Sequence, residues 1–371
     1  MNRLREVLKY FYIVFFIFSS QSLIAQDSTE TAKDSSAYNS KDDFSLSGFP
    51  IVFFLPETSL SFGAAGLLVF NAGREKKAWR RSQISLGGAY TLKNQILFFL
   101  PYELYLKQKW RWNGEVGYFR YFFNYYGIGI DSKEENLETY DANFPRLISN
   151  LSYRVRDPLL LGIQYKFDFF DIPRTDSLLT TDNPIGIDGG MISSVGLTAS
   201  YDTRDDIFYP RKGIFASVIA ETSGAHTGAD FDYELITIDL RHYHTFKWNH
   251  TLATNFYSGI TIGDSPFFNY FYFSSGRRGR GFNDRRFLDK NISMFQAEYR
   301  FGIYKRFRGT VFSSIGSVGN TYAESFTNRM LWSYGGGLRF QLSKKQMSHV
   351  RLDVARSFEG FQFYVTIGEA F

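Results

Sequence analysis

From Phe44 to the end of the chain, apolar and polar residues alternate in segments of roughly ten residues separated by turns. A period of two is that of a β-strand, whose successive side chains point to opposite faces. Between Trp110 and Tyr118 the apolar row is Trp110, Trp112, Val116 and Tyr118, opposed by Arg111, Asn113 and Glu115. At the end of the chain Phe361, Phe363, Val365, Ile367 and Phe371 fall on one face and Gln362, Tyr364, Thr366 and Gly368 on the other, with Glu369 interrupting the apolar row. The same parity recurs in 147–155, 195–201, 332–342 and 350–354, where Arg351 and Asp353 occupy the polar face.

Sixteen strands are predicted on this basis. They span about 45–55, 58–70, 82–91, 94–107, 110–121, 146–156, 158–171, 191–202, 213–223, 230–246, 249–263, 291–303, 308–318, 331–342, 348–357 and 360–371. Segments 107–109, 156–158, 247–248, 305–308 and 343–347 are short connections, whereas 122–145, 172–190 and 264–290 are long. Alternation alone would also suit a soluble sandwich, which turns its polar face to water. The number and length of the strands, their aromatic ends and the unequal connections favour a 16-stranded antiparallel transmembrane β-barrel, with short turns in the periplasm and long loops outside. An even strand count puts both ends of the barrel on the periplasmic side.

Composition agrees with an all-β fold: 19% of residues are aromatic, and 32 Gly stand against 9 Pro. No shift marks a second domain, so 44–371 is expected to be one barrel. Residues 1–25 read as a secretory signal peptide, with Arg3, Arg5 and Lys9 ahead of an apolar stretch and Leu23-Ile24-Ala25 as the cleavage site. Residues 26–43 are almost wholly polar and are expected to form a disordered periplasmic tail. There is no cysteine, which excludes a disulfide scaffold and a lipid-modified cysteine. Beyond residue 25 no apolar run reaches the length of about 18 residues that a membrane helix needs.

One stretch stands apart. Between Phe271 and Arg300 lie Arg277, Arg278, Arg280, Arg285 and Arg286, around Gly279-Arg280-Gly281-Phe282, followed by the alternating Phe295–Phe301. Arg280-Gly281-Phe282 resembles the Arg-Gly-Phe/Tyr motif in the sixth extracellular loop of the BamA/TamA-type assembly barrels, the bacterial surface antigen family. The segment Asp202-Thr203-Arg204-Asp205 with Pro210-Arg211-Lys212-Gly213 is similar to that family's turn between its eighth and ninth strands, and Phe371 to its C-terminal aromatic sorting signal. The resemblance covers about residues 45–371 and implies an inward-folded loop and a role in assembling or translocating proteins or lipids at the outer membrane. It also implies a periplasmic domain that is replaced here by 18 polar residues, so the chain reads as a short member lacking POTRA domains, served by a separate periplasmic partner.

A guanidinium in a confined lumen needs a carboxylate. Parity offers Glu298 to Arg280, since Gln296, Glu298 and Arg300 face opposite to Phe295, Tyr299 and Phe301. The family's second acidic residue, on the thirteenth strand, is expected to be missing, with Ser314 in its place. Asp202, Asp205, Pro210 and Gly213 also suit plain turn capping.

No cofactor, metal or enzyme activity is expected. His242, His244 and His250 lack a carboxylate or cysteine at ligand spacing, and no serine stands in a nucleophile elbow. Export removes nucleic acid as a partner of the basic loop and leaves outer-membrane lipids. The alternative function is a passive pore or structural barrel, because a closed sheet of this strand number leaves an aqueous channel.

Overall fold

The computed structural model describes residues 44–55, 59–72, 81–107, 109–173, 178–207, 209–341 and 349–371. The expected signal peptide, the tail at 26–43 and the turn at 343–347 lie outside these residues.

Sixteen strands form the wall. They are β1 (Phe44–Leu55), β2 (Ser59–Phe70), β3 (Ser82–Thr91), β4 (Ile96–Leu106), β5 (Trp110–Tyr125), β6 (Glu138–Arg156), β7 (Leu159–Asp171) and β8 (Gly189–Asp202). There follow β9 (Gly213–Ser223), β10 (Tyr233–Thr245), β11 (Thr251–Gly263), β12 (Asn291–Tyr304), β13 (Phe307–Gly319), β14 (Leu331–Gln341), β15 (His349–Ser357) and β16 (Gly360–Ile367). Each pairs antiparallel with its sequence neighbours, and the sheet closes β1 onto β16. A closed sheet leaves no unpaired edge, which is what allows strands to cross a bilayer. No described helix is long and apolar enough to span one.

Alternation in the sequence becomes inside and outside in the fold. Leu86, Phe98, Trp112, Val116, Leu197 and Trp332 stand exposed on the outer face. Asn150, Asp168, Asp239, Asn255, Glu298 and Arg300 are buried on the inner one. The seam is unequal to the other junctions: β1 is in register with β2 from Phe44↔Phe70 to Leu55↔Ser59, but among the described residues it meets β16 only at Phe54↔Val365.

Three boundaries differ from the sequence expectation by four residues or more, one being the end of β5 at Tyr125. β6 begins at Glu138, because Tyr140, Ala142 and Phe144 continue its buried row. The last strand stops at Ile367, where Gly368 adopts φ +87°. That turn, open to glycine without steric cost, sends Glu369 to Phe371 inward. Phe371 therefore does not extend the outer apolar row but packs with Tyr243 and Ala253 inside the barrel.

Candidate functional site

The connection from β11 to β12 folds into the lumen. Its stem carries a two-stranded pairing of Phe271–Tyr272 with Leu288–Asp289 and buries Phe267, Phe273, Phe282 and Phe287. Phe267 and Phe268 pack on the inner aromatic wall of Tyr125, Tyr140, Phe144 and Phe170. Phe282 meets Phe273, Phe287 and Phe358 at centroid distances of 5.4, 5.7 and 5.4 Å, with rings steeply inclined to one another, the arrangement aromatic quadrupoles favour. Two glycines permit the descent. Gly279 has φ +56° and Gly281 φ +112°, and a Cβ on Gly279 would lie 2.1 Å from the Phe273 carbonyl oxygen.

At the foot of the loop Arg280 is fully buried. One of its terminal nitrogens donates to Glu298 on β12, and the other to Asp353 on β15 at 2.5 Å. Its guanidinium carbon lies 3.6 Å from the centroid of the Phe312 ring on β13. The Gly281 N–H donates to the Tyr364 hydroxyl at 2.9 Å, and the Gly281 carbonyl accepts from Ser357 at 2.6 Å. Arg280 thus reaches Glu298 as parity indicates. Ser314 is buried on β13 and brings no acid to Arg280, and Asp353, two strands further on, supplies a second carboxylate that the sequence reading did not assign to the loop. Sequence parity had placed Asp353 on the inner row without showing what it would face.

Each carboxylate also points downward. The second oxygen of Glu298 accepts from Arg300 Nε at 3.1 Å and Nη2 at 2.9 Å. Arg300 donates in turn to the main-chain oxygens of Phe371 at 3.0 Å and Pro210 at 3.4 Å. The other oxygen of Asp353 accepts from Arg339, whose Nε donates to Glu369 at 3.0 Å. Gly337 makes room for this pair, since a Cβ there would lie 2.0 Å from Asp353 Oδ1. Arg351 stands 3.4 Å from Asp353 and donates to the Gly276 carbonyl at 2.5 Å.

The turn from β8 to β9 has its own frame. Arg204 grips Asp202 with two bonds of 2.9 Å. Asp205 Oδ1 accepts the main-chain N–H groups of Asp206, Arg211 and Lys212 at 3.0, 2.8 and 3.1 Å. Gly213 has φ +104°, and its Cβ would lie 2.3 Å from the Thr203 carbonyl oxygen. Asp202, Arg204, Asp205 and Gly213 therefore shape the turn, while Pro210 alone of the expected set touches the ionic network. At the opposite end Arg286 pairs with Glu359 in the turn before β16, and burial pushes the Glu359 carboxyl up despite that partner.

These features meet in one sequence finding: the profile of the Omp85 superfamily domain matches residues 79–371. The chain belongs to the Omp85 superfamily. No curated protein sequence matches it. Among solved structures it is similar to BamA from Haemophilus ducreyi lacking POTRA domains 1-3, with a TM-score of 0.62 at 14% identity, over 88% of this chain and 70% of that one. It is also similar to CdiB from Acinetobacter baumannii, with a TM-score of 0.58 at 12% identity, over 87% of this chain and 59% of that one. At these identities the likeness is one of fold. As an Omp85 barrel the chain is an outer-membrane protein, and its loop 264–290 is the inward-folded sixth extracellular loop of the BamA-type fold.

Proposed function

We propose that this Omp85 barrel works without catalytic chemistry, inserting or translocating proteins or lipids at the outer membrane by parting β1 from β16. The observation that supports this is the seam, where one register pair, Phe54↔Val365, stands against twelve between β1 and β2. Ladder hydrogen bonds make strand separation costly in lipid, so a junction with few of them opens at least cost. In this reading Arg280 fastens the loop to β12 and β15 and keeps that side of the barrel rigid while β1 moves away from β16. A separate periplasmic partner brings the substrate to the seam. Phe371 serves sorting, and the Asp202–Gly213 turn shapes the periplasmic mouth.

The test is a disulfide across the seam. A Phe54→Cys/Val365→Cys protein should support normal levels of outer-membrane proteins and lipids when reduced and fail when oxidised. An unchanged envelope profile after depletion of the protein sinks the proposal. The inward loop, with Arg280 locked and Phe282 packed, argues against a steadily open pore. Planar-bilayer recordings should accordingly show little conductance until Arg280→Ala releases the loop.

A further inference from the structure

The inner wall of this barrel is divided. On β10 to β16 it is charged, but on β2 to β4 it carries Ala65, Leu67, Val69, Ala89, Leu97 and Phe99. Cross-strand register puts these on one face with Gln83, since Val69 pairs with Gln83 and Leu67 with Ser85, while Gln83 pairs with Glu103. Glu103 accepts from Gln83 and Arg111 inside the lumen, and the alternate residues Phe62, Leu86 and Phe98 are exposed outside. Leu67, Val69, Leu97 and Phe99 remain partly accessible. Lumens of such barrels are ordinarily polar, so an apolar stripe one strand from the seam is a departure.

The tip of the inward loop supplies the other half. Arg277 is exposed to the lumen and has no carboxylate partner among the described residues. Arg241 and Arg278 share the single carboxylate of Asp239 at 2.5 and 3.4 Å. Three guanidinium groups thus face one acid. Arg351, fully buried, reaches the adjacent Gly276 carbonyl and leaves its Nη1 without a partner. Guanidinium groups match phosphate oxygens in both charge and geometry.

We infer that the lumen binds a phosphate-bearing lipid lying across it, its headgroup at Arg277, Arg278 and Arg241 beside β10 and its acyl chains along the inner face of β2 to β4 on the facing wall. The seam lies one strand from the apolar stripe, with Ser47 and Ser45 of β1 in register with Leu67 and Val69, so an acyl chain that enters there crosses a single strand to reach the apolar wall. This rests on the seam-opening reading and specifies its substrate as lipid. Apolar segments of a client protein would satisfy the stripe but not the excess of arginine at the tip.

The purified full chain in nanodiscs of equal phosphatidylglycerol and phosphatidylcholine, released and weighed by native mass spectrometry, provides the test. Wild type should retain the anionic lipid about ten-fold over the zwitterionic one, a preference of about 1.4 kcal/mol. Arg277→Gln/Arg278→Gln should abolish that preference, and Leu67→Asn/Phe99→Asn should lower retention of both lipids. Heat-modifiable gel mobility verifies that each variant folds. Equal retention by wild type and the arginine variant overturns the inference. So does protection from thermal unfolding by inorganic phosphate alone, with no lipid retained. The seam disulfide separates the two readings: a locked barrel that still loads the lipid refutes entry through the seam while leaving the lipid site standing.

Discussion

The ion pairs around Arg280 make a prediction about rank order. Within this network of directly linked ion pairs, four buried guanidinium groups (Arg280, Arg300, Arg339, Arg351) face three carboxylates (Glu298, Asp353, Glu369). Glu298→Gln leaves the four guanidinium groups facing two side-chain carboxylates and leaves Arg300 with no side-chain carboxylate in the network, only the Phe371 and Pro210 oxygens. Breaking a fully buried pair in this way costs about 3–5 kcal/mol, because the remaining charge is neither paired nor hydrated. Arg280→Met leaves three against three. Glu298 keeps Arg300 and Asp353 keeps Arg339, so the loss is about 1–3 kcal/mol, from hydrogen bonds alone.

The loop residue that carries the family resemblance should therefore matter less to barrel stability than its partner on the wall, although it matters more to where the loop sits. The double variant restores the one-charge excess, so its cost should fall short of the sum of the single variants by about 0.5–3 kcal/mol. Urea unfolding of the barrel, followed by tryptophan fluorescence and heat-modifiable gel mobility, measures all three. Arg280→Met costing as much as Glu298→Gln, or strict additivity in the double variant, would refute the charge argument.

Three further outcomes follow from the geometry. Asp205→Ala removes one oxygen that serves three main-chain N–H groups and should cost about 1–3 kcal/mol, seen as faster proteolysis of the turn after Asp202. Gly337→Ala drives a methyl into Asp353 and Arg339, so a loss of about 1–3 kcal/mol is expected in the same unfolding assay. At the rim, burial pushes the Asp289 carboxyl up from 3.8 to about 6. The folded loop thus binds a proton more tightly than the unfolded one; its stability is fully present below pH 4, falls between pH 4 and 6, and is level above. Asp289→Asn should slow hydrogen exchange at Phe273 at pH 7.5 and leave it unchanged at pH 4; equal effects at both values would refute the assignment.

Much of the barrel was legible because a period of two is a local signal that survives without knowledge of partners. The inner and outer faces followed from it in β5, β14 and β15. What stayed hidden is what depends on contact across the lumen. Nothing near Asp353 says that a loop some seventy residues earlier will reach it, and Glu298 was legible only because it follows the loop within a few residues and on the right parity. Phe371 misled for a different reason: its parity continued the outer row, but a single left-handed glycine at 368 ended the strand.

The arrangement also explains how one barrel can be rigid and openable at once. Glu298 and Asp353 each use one oxygen for the loop above and the other for an arginine that holds the chain end below, through Arg300 to Phe371 and Arg339 to Glu369. Loop, β12, β15 and chain end are thereby one ionic body, and a local fluctuation there would have to break several buried pairs together. On the inner faces of β2 to β4 the ion pair among the described residues is that of Glu103 with Arg111, and it does not join the loop or the chain end. Opening should therefore be confined to the strands with the fewest shared interactions, which places motion beside the apolar stripe and leaves the charged wall as the fixed frame against which it moves.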